Sequence, residues 1–162
     1  MARLNSRRRV IRATLPFVLA SAAMAADRPA RPNPTLTPGA TVSVPLARLC
    51  EKSYASAVRH VSGRTKAAVY AAYGISRRSH REYEVDHLIP LELGGSNDPK
   101  NLWPQPRSGE WSASVKDALE DRLHALVCAA RPGITLADAQ QGIRTDWIGM
   151  YKKIFKTETP PR

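Results

Sequence analysis

The chain has 162 residues, enough for one domain of ordinary size and too few for two full cores. Its 25 Lys and Arg against 14 Asp and Glu give a formal charge of +11, the balance of a protein that meets polyanions or membrane surfaces. Residues 1–25 read as a secretory signal: Arg3, Arg7, Arg8, Arg9 and Arg12 precede an apolar run over 13–25 that is too short to span a bilayer. Ser6 to Arg12 also resembles a twin-arginine export signal, with an arginine-rich general secretory signal as the alternative. Small residues at Ala23 and Ala25 place cleavage before Ala26. Cleavage there removes five arginines and no acid, leaving 20 basic against 14 acidic groups, or +6. A periplasmic or secreted location follows, with no stable membrane insertion of the mature chain.

Pro29, Pro32, Pro34, Pro38 and Pro45 mark 26–45 as an extended linker, and the ordered domain is expected over 46–157, with 158–162 as a disordered tail. Ser62 caps an expected helix rich in alanine that stops at Gly74. Tyr83-Glu84-Val85 reads as a short strand, 94–99 as a turn-rich loop, and Asn101-Leu102-Trp103 as a second strand ended by Pro104. Val115, Leu119, Leu123, Leu126 and Val127 recur at helical spacing after Ser112 or Ser114, and Pro132-Gly133 closes that helix. A last helix starts at Thr135 and carries Leu136, Ala139, Ile143, Trp147, Met150 and Ile154 on one side. The fold class is α+β. Two cysteines, Cys50 and Cys128, fit one disulfide in an oxidising compartment, the alternative being two buried thiols.

Over 86–102 the chain reads D-H-x-x-P-x-x-x-G-G-x-x-x-x-x-N-L. This resembles the HNH endonuclease motif, and the flanking Tyr83-Glu84-Val85, Leu91-Glu92-Leu93 and Trp103-Pro104-Gln105 are similar to exported bacterial HNH-like proteins. The resemblance implies two antiparallel strands and a helix around one metal ion, embedded here among further helices. It also implies a metal-dependent endonuclease that hydrolyses phosphodiester bonds of DNA ahead of RNA. Such hydrolysis needs a base to deprotonate water and a cation to offset charge building on the phosphate. His87 suits the base, with an ordinary pKa near ~6.5. Asp86 offers an oxygen ligand to a hard ion, Mg²⁺ first and Mn²⁺ or Zn²⁺ after it. Asn101 is expected either to share the ion or to hold the imidazole tautomer.

The third position of the motif, ordinarily His or Asn at the start of the helix, departs from the pattern. Glu110 and Asp117 are the candidates to complete the metal set, and Ser112 is a weak replacement. Because neighbouring side chains on a strand point to opposite faces, Asp86 and His87 converge only if the strand ends between them. Arg77, Arg78 and Arg81 form a basic loop suited to a phosphate backbone or to plain solvation. Trp147 is expected in the core; Trp103 and Trp111 suit either the core or base stacking. The rival to the enzyme is an inactive HNH-fold protein of the periplasm that binds nucleic acid or serves a structural role.

Overall fold

The structure, a computed structural model, describes residues 30–161. The expected signal, 1–25, lies outside the described residues. Helices α1 (Leu46–Leu49), α2 (Tyr54–Val58) and α3 (Gly63–Ala72) come first, then strands β1 (Tyr83–His87) and β2 (Leu102–Pro106), then helices α4 (Ala113–Val127) and α5 (Leu136–Phe155). Mixed helices with one two-stranded antiparallel sheet make an α+β fold. Short 3-10 helices cover Arg77–Glu82, Leu91–Leu93 and Pro99–Asn101.

Local chemistry explains most boundaries. Ser62 caps α3, its hydroxyl accepting from Thr65 N–H at 3.0 Å, and Gly74 follows the helix with φ +68°. Thr135 does the same for α5, accepting from Asp138 N–H at 3.1 Å. That last helix is broken at Asp146, whose backbone is extended (φ −157°, ψ 87°). The Asp146 carboxylate accepts from the N–H groups of Ile148 and Gly149, so it caps the second half of α5. Aspartate inside an apolar stripe reads as an exposed helical residue, which is why the break is invisible in the periodicity.

Strand β2 runs past the expected stop at Pro104. The bonds Leu88 N–H to Asn101 O (2.7 Å) and Arg107 N–H to Glu82 O (3.0 Å) fix which rungs are bonded. Val85–Pro104 and Tyr83–Pro106 fall on the alternate rungs, where the backbone N–H faces away from the partner. A proline there removes no ladder bond.

Residues 30–45 are not a free linker. Ala30 O accepts from the Trp147 indole at 2.9 Å, and Arg31 pairs with Asp146. Thr37, 1% exposed, donates to Leu102 O and bonds the Tyr73 hydroxyl. Gly39 N–H reaches Lys100 O, and Val42 N–H reaches Gly94 O. Proline rules out helix but not an extended strap fastened by its remaining polar groups, so the packed domain begins well before Leu46. Within 158–161, Pro160 is buried, and Lys152 bonds Glu158 at 3.1 Å.

The core lies where α4 and α5 meet the sheet and the connection after β1. Leu88, Ile89 and Leu93 pack with Trp103, Leu119, Leu123, Ile143 and Trp147. Of the two undecided tryptophans, one lies in this interior and the other packs against it, partly buried. Trp103 is fully buried, and Trp111 packs edge-on against Trp147 and Tyr151. The expected disulfide joins Cys50 after α1 to Cys128 after α4.

Candidate functional site

The connection between β1 and β2 holds most of the motif, and its residues build the loop. Gly94 takes φ +79°, a left-handed conformation. A Cβ on Gly95 would stand 1.7 Å from Ile89 O, so no side chain fits there. Asn101 is 0% exposed and its amide is committed to this loop. Its Oδ1 accepts from Ile89 N–H at 2.9 Å, and its Nδ2 donates to Ile89 O and Ser96 O, each at 2.9 Å. The two roles expected of Asn101, ion ligand or partner of the imidazole, are therefore replaced by a third. It clamps the backbone that carries the glycines.

Asp86 and His87 are both buried, at 9% and 3% exposure. Strand β1 stays regular through His87, and as alternation requires, the two side chains take different partners. The imidazole meets Asn97, a residue that the sequence shows only as part of a turn. Asn97 Nδ2 donates to Val58 O at 2.8 Å, so its Oδ1 faces both His60 N–H and His87 Nε2, the latter at 3.0 Å. An acceptor in that position requires the hydrogen on Nε2. Nδ1 then carries the lone pair, and it is buried with no hydrogen-bond partner. Burial pushes the His87 pKa below 6.5, with the Asn97 bond and the Asp86 charge opposing the shift.

Asp86 meets Lys116 of α4. This lysine is 0% exposed and donates to Asp86 Oδ2 at 2.8 Å, to the His87 backbone carbonyl at 2.6 Å, and to Glu120 Oε1. Burial alone would lower its pKa, yet the Asp86 and Glu120 carboxylates hold it above the ordinary lysine value. Burial drives Glu120 well upward, with Lys116 opposing and Asp86 and Glu92 adding to the rise. The sequence does carry a signal for this pair. Lys116 and Glu120 share the helical spacing of the buried positions Ala113, Leu123 and Val127.

Outside this pair the site opens into a cavity of about 520 Å³. Glu51, Glu84, Asp86, Glu92, Asp117, Glu120 and Asp121 line it, with Lys52, Arg59 and His124 among them. Asp117 therefore shares a cavity with Asp86, and its pKa is raised by burial and then by the Asp86 charge. Glu110 does not join them. It is exposed on the loop before α4, beside Ser112, Thr159 and Pro160. Ser112 is buried and bonds Ser114. The arginines Arg77, Arg78 and Arg81 are exposed on the 3-10 turn that leads into β1.

Oxygen donors beside a negative cavity suit a hard divalent ion in chemistry. Their placement does not. Asp86 Oδ2 is taken by an ammonium, and Asn101 is spent on the loop. Among the described residues, the one group of three His, Cys, Asp or Glu side chains whose ligand atoms lie within 4.8 Å of one another is Cys50, His124 and Cys128. There the two sulfurs are bonded to each other, and the His124 ring bonds Leu49 O. Comparison with protein-family models, curated proteins and solved structures finds no match to this chain.

Proposed function

We propose that this chain is an HNH-type endonuclease, hydrolysing phosphodiester bonds of nucleic acid, DNA ahead of RNA, with His87 as general base. One observation carries the reading: an imidazole held at Nε2 by the Asn97 oxygen, with Nδ1 buried and without a partner, the nitrogen left to carry the lone pair of the neutral ring. Its lowered pKa keeps that lone pair available at neutral pH. Nδ1 takes the proton of the attacking water, and the charge that develops on the ring is offset by neighbouring Asp86. Nδ1 is buried in this structure, so water reaches it only when its cover moves, with Asn97 still holding Nε2. Arg77, Arg78 and Arg81 meet the phosphate backbone away from the acidic cavity, whose carboxylates repel it. The resemblance implies a divalent ion, Mg²⁺ first, which would offset charge on the phosphate. The proton transfer to His87 rests on the chain's own residues.

A second reading is favoured by Lys116. With Asp86 held by an ammonium and Nδ1 under cover, the same fold serves as a nucleic-acid-binding or structural protein without turnover. Either protein belongs in the periplasm or outside the cell, where the Cys50–Cys128 disulfide persists. Among the described residues, no helix is long and apolar enough to cross a membrane.

The test is nicking of supercoiled plasmid by the purified protein with Mg²⁺, Mn²⁺ or Zn²⁺ and with chelator, beside His87→Ala. Cleavage that disappears in His87→Ala supports the enzyme. Absence of cleavage of plasmid and of RNA under every condition, with binding retained in the variant, supports the second reading.

A further inference from the structure

Three oxygens converge between β1 and α4: Asp86 Oδ2, the His87 carbonyl and Glu120 Oε1. All three accept from Lys116 Nζ. An ammonium has three N–H donors, so those of Lys116 are all used and none is left for a substrate. Two carboxylates and a carbonyl form the hard oxygen set that divalent cations take. The ammonium that fills it is on a fully buried stem, while Asp86 and Glu120 also border the open cavity.

We infer that Lys116 is a built-in cation standing where a divalent ion would join the strand to the helix, so that the protein takes no ion on Asp86 and acquires an ion site there when the ammonium is removed. Charge supports the exchange. With Glu120 ionised, two carboxylates face one ammonium and leave an excess negative charge, and the acids of the same cavity outnumber its Lys52 and Arg59. A divalent ion would neutralise the pair, at the cost of making the junction depend on metal supply. With the cation covalently attached, the helix docks on the strand without any ion. This inference goes beyond the hydrolase reading and does not depend on it.

The experiment is Mn²⁺ binding, followed by the loss of the free-ion paramagnetic resonance signal and by the shift of the unfolding temperature. The samples are the natural protein, Lys116→Ser, Asp86→Asn, and Lys116→Ser with Asp86→Asn, all freed of metal beforehand. Serine is chosen because it removes the ammonium and leaves room for an ion with its waters. The natural protein is expected to show no Mn²⁺ binding that depends on Asp86. The Lys116→Ser variant is expected to unfold at a lower temperature in chelator, to regain stability with Mn²⁺, and to bind it at least roughly tenfold more tightly than the natural protein does. That gain should vanish in the double variant. Saturable Mn²⁺ binding by the natural protein that Asp86→Asn abolishes would overturn the inference. So would a Lys116→Ser protein that gains no affinity, or one that no concentration of Mn²⁺ refolds. Nucleic acid takes no part in the measurement, so failure here leaves the hydrolase reading untouched, and failure of cleavage leaves this inference untouched.

Discussion

Asn101→Asp separates a metal ligand from a structural clamp. In the variant, Oδ1 can still accept from Ile89 N–H, but both donations of the amide nitrogen are lost, and a carboxylate oxygen faces the carbonyls of Ile89 and Ser96. The site is fully buried, so water does not replace the missing partners at Ile89. The lost bond to half-buried Ser96 is worth about 1 kcal/mol and the buried Ile89 carbonyl left without its donor about 2 kcal/mol, a loss of about 3 kcal/mol. Against the 5–15 kcal/mol that typically holds a domain together, this is a large fraction. Urea unfolding followed by tryptophan fluorescence reads it directly, because Trp103 and Trp147 are buried in the folded chain. At an ordinary urea dependence the midpoint should fall by about 2 M. An ion ligand would behave in the opposite way, since aspartate binds a hard cation at least as well as an amide does. A midpoint within about 0.3 M of the natural protein would refute the clamp and return Asn101 to the chemistry.

The remaining predictions concern His87 and the disulfide. Because burial holds the His87 pKa below 6.5, the unfolded chain binds the proton more readily, and this contribution to stability is present above pH 6.5 and lost as pH falls below it. The loss should approach about 1.4 kcal/mol per pH unit at most, and His87→Gln should flatten it. Parallel stability–pH curves for the two proteins would show that the imidazole is not buried as described. Asp117 and Glu120, shifted upward, act with the opposite sign but are present in both proteins and cancel in the difference. Reducing Cys50–Cys128 frees a loop with a sequence separation of 78 and should cost about 4.5 kcal/mol by chain entropy. Urea midpoints with and without dithiothreitol measure it, and a cost under about 1 kcal/mol would mean that the loop stays closed without the bond.

The motif divides between architecture and chemistry in a way its spacing does not reveal. Gly94, Gly95 and Asn101 are the residues that make the pattern recognisable, and each is explained by the backbone of one connection. Asp86 and His87 remain as the groups with chemistry to offer. Their partners, Lys116 and Asn97, are ordinary residues of a helix and a turn when read along the chain.

Helices α3, α4 and α5, the two strands and the pairing of the cysteines follow from local signals: caps, apolar spacing, turn residues, and an even cysteine count. These are interactions between near neighbours, or counts, and they survive being read in one dimension. The bond of Lys116 to Asp86 spans 30 positions and that of Trp147 to Ala30 spans 117. Nothing local distinguishes a buried lysine with two carboxylates from a solvated one, or a proline-rich strap from a loose linker. Burial by the rest of the chain makes that distinction, and only the tertiary structure shows which cation Asp86 meets and which nitrogen of His87 is left free.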